Sequence, residues 1–392
     1  MKESLFNYRF EYENQKYIFN TNNNGLIQIN NDIFTEEERE YLRVNRFWVD
    51  DNEDEIALLE REINHNIQKR QKELELTIAL TNYCNFSCVY CYQNKNEKLM
   101  TTEVANMIIE KIDRILNDNI FEGINIHYFG GEPLLNIPVL IYLDENIKKI
   151  TDKIGIVYKA FLTTNGSMLS KELLQKVKFS SIQLTFDGLE KTHDRLRVSD
   201  HFHFKEEIEL IENIMNFSQV LLRTNICKEN KDEIIALHKY IFEKFGNERI
   251  EINPNRTIKY HQDDSFEMLS VQEYAEVAYK IKLLWSEQKG KFELPVPRST
   301  PCKFPYGNAY AISPEGYCTF CSGSMDQEKK YFFDVDIENK KMFSVRKECK
   351  KCNILPLCLG GCIIQYNLRA GACTYEKYEL KNILISYIKH IS

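Results

Sequence analysis

The pattern of apolar and polar positions divides the chain into three stretches of different character. In the middle stretch, short apolar runs alternate six times with amphipathic ones. The apolar runs predict strands, and the amphipathic runs predict helices. We predict strands at Leu76–Leu80, Gly123–Tyr128, Gly155–Leu162, Ser181–Phe186, Gln219–Ile226 and Ile250–Ile252. We predict helices at Thr102–Asn117, Ile137–Ile150, Ser170–Lys176, Phe204–Asn216, Asp232–Phe245 and Ser270–Glu287.

This alternation predicts the α/β class with a parallel sheet, because parallel strands need a crossover connection and a helix usually supplies it. Six strand–helix units are too few for a closed eightfold barrel of ~250 residues. We therefore predict an open, partial (β/α)6 barrel. In parallel barrels the chemistry lies at the carboxyl ends of the strands, so functional residues are expected there.

The two flanking stretches predict smaller regions. Residues 1–75 predict an α+β domain and a connector helix, and residues 291–392 predict a cysteine-rich domain, on either side of a barrel at residues 76–290. The predicted elements of the flanks are strands at Phe6–Phe10, Lys16–Asn20 and Leu26–Ile29, and helices at Phe34–Val44 (capped by Thr35), Glu53–Glu75 and Tyr375–His390. A small region without a large core often depends on bound metal.

Composition narrows the class of protein. The chain has 392 residues, 43% of them hydrophobic and 28% charged, which is typical of a globular protein. A net charge of −7 gives no reason to expect nucleic acid or an anionic membrane as a partner. We find neither a signal peptide nor an apolar run near the ~18 residues of a membrane span, so we expect a cytoplasmic protein. Twelve cysteines in that setting indicate metal binding or chemistry more than disulfides.

The first cysteine cluster is the most specific signal. Cys84, Cys88 and Cys91 have the spacing C-x3-C-x2-C directly after the first barrel strand. Three thiolates can hold three irons of a [4Fe–4S] cluster, which normally takes four cysteines, so one iron is left open to bind a small molecule. The run resembles the cluster motif of the radical S-adenosylmethionine (SAM) enzymes, including the aromatic Tyr90 before the last cysteine.

The second motif is the run 129–133, Phe-Gly-Gly-Glu-Pro, directly after the second strand. Two glycines let the backbone approach a ligand closely, since they carry no side chain. The run is similar to the GGEP segment of radical SAM enzymes, and this resemblance implies that Gly130, Gly131 and Glu132 contact the methionine part of SAM.

Two further strand ends resemble weaker family patterns. The run 163–166, which contains Asn165, follows the third strand, and Thr185 ends the fourth. The resemblance implies that Asn165 and Thr185 help to bind SAM and that Arg197 pairs with its carboxylate. A guanidinium fork suits a carboxylate. The alternative for these positions is a turn with solvated charges.

The C-terminal cysteines resemble the SPASM domain, which holds two auxiliary [4Fe–4S] clusters. Thirteen residues separate Cys302 from Gly316, four separate Gly316 from Cys321, and the run that follows has the spacing C-x2-C-x5-C-x3-C before a final cysteine. The resemblance assigns Cys302, Cys321 and Cys362 to one cluster and Cys349, Cys352, Cys358 and Cys373 to the other. Cys318 is open as a further ligand of the first cluster. Structural zinc is the rival interpretation, since C-x2-C pairs are common zinc ligands.

Proteins that combine these two domains modify peptides or proteins. The resemblance implies that a reduced cluster cleaves SAM to a 5′-deoxyadenosyl radical, which takes a hydrogen atom from a precursor peptide so that a thioether or carbon–carbon crosslink forms. An electron donor such as flavodoxin or ferredoxin is expected. Residues 1–75 resemble the leader-binding segment of maturases of ribosomally made peptides, with exposed strand edges at Phe6–Phe10 and Lys16–Asn20 as the candidate binding positions. The alternative for this segment is a plain structural extension. The alternatives are an anaerobic sulfatase maturase and a non-enzymatic iron–sulfur electron carrier or redox sensor.

Overall fold

The computed structural model describes residues 1–29, 34–118, 121–246, 248–259, 265–319, 321–324, 330–335, 342–368 and 373–391. The chain divides into two compact units. The terminal unit comprises residues 1–68, 270–302 and 342–392, and the barrel unit comprises residues 69–269 and 303–341.

The strands are β1 (Lys2–Glu3), β2 (Asn7–Tyr12), β3 (Gln15–Asn20), β4 (Gly25–Ile29), β5 (Trp48–Val49), β6 (Glu73–Ala79), β7 (Gly123–Phe129), β8 (Val157–Thr163), β9 (Phe179–Thr185), β10 (Gln219–Ile226), β11 (Ile250–Arg256), β12 (Ala309–Ile312), β13 (Tyr317–Thr319) and β14 (Lys330–Tyr331). The helices are α1 (Glu36–Val44), α2 (Glu55–Arg70), α3 (Thr102–Asp118), α4 (Ile137–Ile154), α5 (Lys171–Lys176), α6 (Glu190–Leu196), α7 (Phe204–Met215), α8 (Ile234–Phe245), α9 (Val271–Lys289), α10 (Lys303–Tyr306), α11 (Leu355–Cys358), α12 (Ile363–Leu368) and α13 (Glu376–Ile391). No helix in these ranges is long and apolar enough to cross a membrane.

One sheet forms the centre of the barrel unit. Strands β6 to β11 lie side by side in sequence order and pair in parallel. Burial alternates along β7. Ile124, Ile126 and Tyr128 have no exposed surface, whereas the two residues between them are half-buried. The six predicted parallel strands and the α/β class are therefore confirmed.

The same sheet continues into the cysteine-rich part of the chain. Strand β12 pairs in parallel with β6, and β13 and β14 follow it in antiparallel pairing, which gives nine strands within the described residues. The apolar and polar pattern predicts no strands there. These strands are two to four residues long, too short for alternation to be recognised.

The terminal unit has a core shared by distant parts of the chain. Phe10 and Phe19 of the β2–β3–β4 sheet pack with Leu357 of α11 and with Leu380 and Leu384 of α13. Helix α1 begins at the capping box that Thr35 forms with Glu38, as the sequence predicts.

Two predictions about the N-terminal stretch are wrong. The helix predicted at Glu53–Glu75 ends at Arg70, and residues 73–79 belong to β6. The period-two burial of Leu74, Leu76 and Ile78, each at most 1% exposed, makes this segment a strand. The run Lys16–Asn20, predicted as an exposed strand edge, belongs to β3 in the centre of its sheet, and the edges are β2 and β4.

Candidate active site

The cysteine loop begins where β6 ends, and it is fixed there by main-chain hydrogen bonds. The Leu80 N–H donates to the Phe129 carbonyl at 2.9 Å, and the Met100 N–H donates to the Leu80 carbonyl at 2.8 Å. Thr81 donates its hydroxyl to the Lys98 carbonyl at 2.8 Å. The start of the loop therefore lies at the carboxyl end of β6, where barrel chemistry is expected.

The two glycines of the second motif lie against this loop. The Gly131 N–H donates to the Thr81 carbonyl at 2.8 Å. A Cβ on Gly131 would lie 2.2 Å from the Tyr83 carbonyl oxygen, and one on Gly130 would lie 2.4 Å from the Thr81 carbonyl oxygen. Gly130 also has a φ of +142°. The two segments can approach this closely only because both positions are glycine.

The carboxylate of Glu132 joins the ends of β7 and β8. Oε1 accepts hydrogen bonds from the Leu134 N–H at 3.0 Å and the Thr164 hydroxyl at 2.7 Å, and Oε2 accepts from the Asn165 N–H at 2.7 Å. Glu132 is fully buried. Burial raises its pKa, while these three hydrogen bonds and the Arg197 charge oppose the rise. The carboxylate thus holds two strand ends in one arrangement.

Asn165 joins the same assembly to the first cysteine. Its Nδ2 lies 2.8 Å from Asn85 Oδ1 and 3.9 Å from Cys84 Sγ. Its Oδ1 accepts from the N–H of Ser167 at 2.9 Å. The three sequence motifs at the ends of β6, β7 and β8 are therefore connected by hydrogen bonds.

The other end of the loop is held by Tyr90. Its hydroxyl donates to Asp187 Oδ2, and Asp187 Oδ1 accepts from the Asn225 N–H of β10 at 2.6 Å. Asp187 is fully buried, and burial raises its pKa, opposed by Arg197 and by the hydrogen bond from Tyr90. Burial, followed by the charge of Asp187, raises the pKa of Tyr90 well above its ordinary value, so Tyr90 is a hydrogen-bond donor here.

Arg197 is buried against the cysteine loop. It is 6% exposed, and its guanidinium carbon lies 5.4 Å from the centre of the Phe86 ring. Burial lowers its pKa, but the acidic side chains around it, Tyr90 and Cys88 first and then Glu207 and Asp187, hold the pKa well above its ordinary value. Burial in turn raises the pKa of the Cys88 thiol to about 11, with Arg197 opposing and the thiols of Cys91 and Cys84 adding to the rise. The three thiols are thus close enough to influence one another.

The donor set of the loop fits an iron–sulfur cluster. Cys84, Cys88 and Cys91 are partly accessible, and none of the twelve cysteines is in a disulfide in the described ranges. Within those ranges no three His, Cys, Asp or Glu side chains converge on one metal ion. A cubane instead bears its ligands on separate irons, and cysteine thiolate is the ligand it takes.

Thr185 ends β9 and is 7% exposed. Its register neighbour on β10 is Arg223, whose Nε donates to Asn225 at 2.8 Å. Sequence reasoning missed Arg223 and assigned no role to Asp187. The period-two alternation within β10 was the available signal, since Arg223 is polar between the buried Leu222 and Thr224.

Half-buried polar side chains also follow one face of strands β7 to β11. His127 bonds Thr163 at 2.7 Å, Gln183 donates to Thr163 at 3.3 Å, and Asn253 donates to Gln183 at 3.3 Å. Burial lowers the pKa of His127 to about 4, so it is neutral near pH 7. Sequence reasoning missed this row because its members lie on four separate strands.

The C-terminal cysteines fall in both units. In the barrel unit, Cys318 is a buried residue of β13, and Cys321 is half-buried with the Gly323 N–H 3.3 Å from its sulfur. In the terminal unit, Cys358 ends α11 and accepts from the Gly360 N–H at 3.4 Å, while Cys349 and Cys352 are half-buried. The remaining three are Cys302 and Cys362, both exposed, and Cys373, half-buried.

Comparison with known proteins identifies the domain that carries this site. Residues 78–241 match the model of the radical SAM superfamily. The chain therefore carries a radical SAM domain, which implies SAM and a [4Fe–4S] cluster as its cofactors.

Relatives by sequence extend the match. The chain is 24% identical over 372 residues to the radical SAM cyclopropyl synthase TigE of Paramaledivibacter caminithermalis, which covers 83% of this chain and 76% of TigE. It is 30% identical over 182 residues to GTP 3′,8-cyclase of Clostridium perfringens, where it spans about half (49%) of that protein.

Solved structures show the same fold. For anSMEcpe with bound AdoMet the TM-score is 0.64 at 18% identity, with 81% of this chain and 98% of that chain covered. For Streptococcus suis SuiB bound to precursor peptide SuiA the TM-score is 0.55 at 16% identity, with 94% of this chain and 97% of that chain covered. The predicted radical SAM fold, with its small N-terminal domain and cysteine-rich C-terminal region, is confirmed.

Proposed function

We propose that the protein is a maturase that removes hydrogen from a ribosomally made precursor peptide and installs a crosslink, either a carbon–carbon bond or a thioether. The observation that carries the proposal is the joining of the cysteine loop, the Gly130–Glu132 segment and Asn165 by hydrogen bonds at three adjacent strand ends. The SPASM-like cysteine spacing in the same chain supports a peptide substrate. The likeness to TigE favours the carbon–carbon bond.

In this proposal Cys84, Cys88 and Cys91 hold a [4Fe–4S] cluster. When bound, the cluster and SAM supply a 5′-deoxyadenosyl radical that takes a hydrogen atom from the substrate. The chain's residues hold the loop in one conformation. Tyr90 and Asn165 hold its two ends, and the Ser87 and Val89 N–H groups donate to main-chain carbonyls beyond α6 and at its end, at 2.8 and 3.0 Å.

The SAM contacts are proposed from the free hydrogen-bonding capacity of the same residues. Each oxygen of a carboxylate can accept about two hydrogen bonds, and Glu132 Oε2 accepts only the one from Asn165 in the described ranges. A second acceptor site there suits an ammonium group. Gly130 and Gly131 offer main chain without side chains. Thr185, Arg197 and, beside Thr185, Arg223 are the polar groups for the carboxylate end.

The two auxiliary clusters remain part of the proposal, with Cys302, Cys321 and Cys362 for one and Cys349, Cys352, Cys358 and Cys373 for the other. In the terminal unit, burial raises the pKa of Cys349 and of Cys358, and the nearby thiol of Cys352 adds to both rises. This closeness supports a common ligand set.

Leader binding is proposed for the N-terminal domain, at strand β4. In the described residues β4 pairs with β3 on one side only. Beside it lies a cavity of about 300 Å³, lined by Leu26 and Ile27 of β4 and by Tyr41 and Val44 of α1. Tyr41 and Val44 are 56% and 65% exposed. An extended peptide could add a strand to β4 and place apolar side chains in this cavity.

The other edge, β2, is less suited. The side-chain amide of Asn353 donates to the Asn7 carbonyl of β2 at 3.0 Å. Phe10 of the same strand packs into the core with Leu357 and Leu380. SuiB, whose match covers 94% of this chain, is bound to a precursor peptide in its own structure, which supports a peptide partner here.

The test uses the reconstituted, reduced protein with SAM and the short peptide encoded beside its gene. The proposal expects 5′-deoxyadenosine to form and the peptide to lose two hydrogen atoms per crosslink, measured by chromatography and mass spectrometry. SAM cleavage without any change in this peptide or in another encoded nearby would contradict the peptide-maturase proposal. Oxidation of a single Cys or Ser side chain to an aldehyde would favour the sulfatase-maturase alternative.

Leader binding has its own test. Val44→Asp places a charge in the cavity beside β4. The matched control is Val157→Asp, because Val157 of β8 is 58% exposed. We expect Val44→Asp to lower the peptide affinity about tenfold, because about one apolar contact with the peptide is lost. We expect Val157→Asp to leave the affinity unchanged. Equal affinities in both variants would place the leader elsewhere.

A further inference from the structure

We infer that Asn165 is a positioning residue for the cluster: its side-chain amide donates one N–H to the sulfur of Cys84 and raises the cluster's reduction potential. This inference rests on the proposed cluster at Cys84, Cys88 and Cys91. It assigns Asn165 a role toward the cluster in place of the SAM contact that its motif suggests.

The orientation of the amide follows from its partners. Asn165 Oδ1 lies 2.9 Å from the main-chain nitrogen of Ser167 and 2.7 Å from its hydroxyl. A main-chain N–H can only donate, so the atom facing it must be the oxygen. The NH2 group therefore faces the cysteine loop. Its two hydrogens match two acceptors there, Asn85 Oδ1 at 2.8 Å and Cys84 Sγ at 3.9 Å.

The donor is held in place on both sides. Asn165 is 7% exposed, and its own main-chain N–H donates to the buried Glu132 carboxylate at 2.7 Å. The Glu132 N–H in turn donates to the Tyr83 carbonyl, next to Cys84, at 2.9 Å. Because the amide is anchored through its main chain and its oxygen, the N–H direction toward Cys84 is fixed before any cluster binds.

The chemical consequence concerns the charge on sulfur. The Cys84 sulfur also has the Phe86 N–H at 3.4 Å, so two N–H donors approach the same atom. Hydrogen bonds to cluster sulfurs are one of the factors that set reduction potential. A donor stabilises the more negative, reduced form more than the oxidised form. Removing the Asn165 donor should therefore lower the potential.

The experiment compares Asn165→Asp and Asn165→Ala in the reconstituted full-length protein. Asn165→Asp keeps the size and the acceptor for Ser167 but loses both N–H donors. Asn165→Ala also loses the donors without adding a charge. Asn146→Ala is the matched control, because it removes a half-buried amide of α4 that donates to the Tyr142 carbonyl at 2.8 Å and belongs to none of the three motifs. Iron content is measured first, and the potential follows from an EPR-monitored titration of the signal that SAM perturbs.

We expect both Asn165 variants to lower the ratio of reduced to oxidised cluster about tenfold at a given potential, equivalent to about 59 mV for one electron, and Asn146→Ala to leave it unchanged. A shift in Asn165→Asp alone would reflect its charge and overturn the inference. Unchanged potentials in both Asn165 variants at full iron content would also overturn it.

If the variants bind no SAM-sensitive cluster, the hydrogen bond is tested in the wild-type protein instead. With asparagine labelled by 15N at the side chain, a hyperfine coupling from that nitrogen to the reduced cluster is expected, and its absence would refute the hydrogen bond. Failure of the proposed function looks different, since the wild type would then hold no SAM-sensitive cluster at all.

Discussion

The cysteine loop of the barrel unit and the cysteine run of the terminal unit are held in place by different kinds of partner. Cys84 to Cys91 are tied by Asn165, Asp187 and the chain after α6, up to about one hundred residues away in sequence. In the run from Cys349 to Cys358 the first two cysteines are tied by their neighbours, since the Cys349 N–H donates to the Arg346 carbonyl and the Cys352 N–H to the Cys349 carbonyl. The distant hydrogen bonds of this run go to Asn353, Pro356 and Leu357 between the cysteines.

The geometry of each set of ligands therefore depends on a different part of the structure. The loop has the conformation that the barrel imposes, so a change at a distant strand end should alter it. The run has a conformation set by successive tight turns, and its apolar residues Ile354 and Leu357 fix it on the core of the terminal unit. The two sets should therefore fail separately, which the following variants test.

The largest expected effect is at the loop. Replacing Cys84, Cys88 or Cys91 by alanine removes one of three ligands from a cluster that has no spare, so SAM cleavage should be abolished. About four of about twelve irons should be lost, while the C-terminal iron and the circular dichroism persist. Loss of all iron would mean that the two sets depend on each other, and zinc in the C-terminal region would replace the auxiliary clusters with a structural metal.

Next is the contact between the second motif and the loop. Gly131→Ala would place a Cβ 2.2 Å from the Tyr83 carbonyl oxygen, so the loop must shift. A displacement of about 1 Å can cost about 100-fold in rate, and we expect that loss in 5′-deoxyadenosine formation. Gly155→Ala is the control, since it has φ +76° and no atom within 4 Å. It should cost about 1 kcal/mol in stability with unchanged SAM cleavage, and equal rates in the two variants would contradict the close contact.

Acid should weaken the barrel unit before the terminal unit. Burial lowers the pKa of His238 from 6.5 to about 4, and His238 bonds Thr224 at 3.2 Å. Between these two pH values the unfolded chain binds a proton that the folded chain does not, so stability falls as the pH falls, by roughly 3 kcal/mol for this residue. As the pH falls, hydrogen exchange should show opening of β10 and α8 before opening near Trp48 and Trp285 of the terminal unit. His238→Gln should weaken the dependence of the barrel unit's stability on pH. A uniform response of both units would argue against this.

The smallest expected effect separates two cysteines three residues apart. Cys318 is 3% exposed within β13, while Cys321 is half-buried beyond the strand. Cys318→Ala should keep all iron and lose about 1 kcal/mol of packing, whereas Cys321→Ala should lose about four irons. An altered auxiliary EPR signal in Cys318→Ala would instead make Cys318 the fourth ligand of the first auxiliary cluster.

Much of the barrel was predictable because its strands are long enough to show alternation. All six parallel strands were expected, and each of the motifs at residues 84–91, 129–133 and 163–166 follows its strand as expected. The end of α2 was misplaced, because Glu73 and Glu75 continue the charged character of the helix while Leu74 and Leu76 already alternate as a strand. Strands β12 to β14 were missed because they are short and depend on pairing with β6 and with each other.

The sequence by itself determined the fold class, the radical SAM domain and the chemical type of each proposed ligand, because these depend on periodicity and on spacing along the chain. Only the tertiary structure decided what surrounds them. It joined Tyr90 to Asp187 and Asn165 to Cys84, and it placed Lys16–Asn20 in the centre of a sheet whose edge is β4. Such contacts join residues far apart in sequence, and they depend on which strand ends meet, which no local pattern of apolar and polar residues specifies.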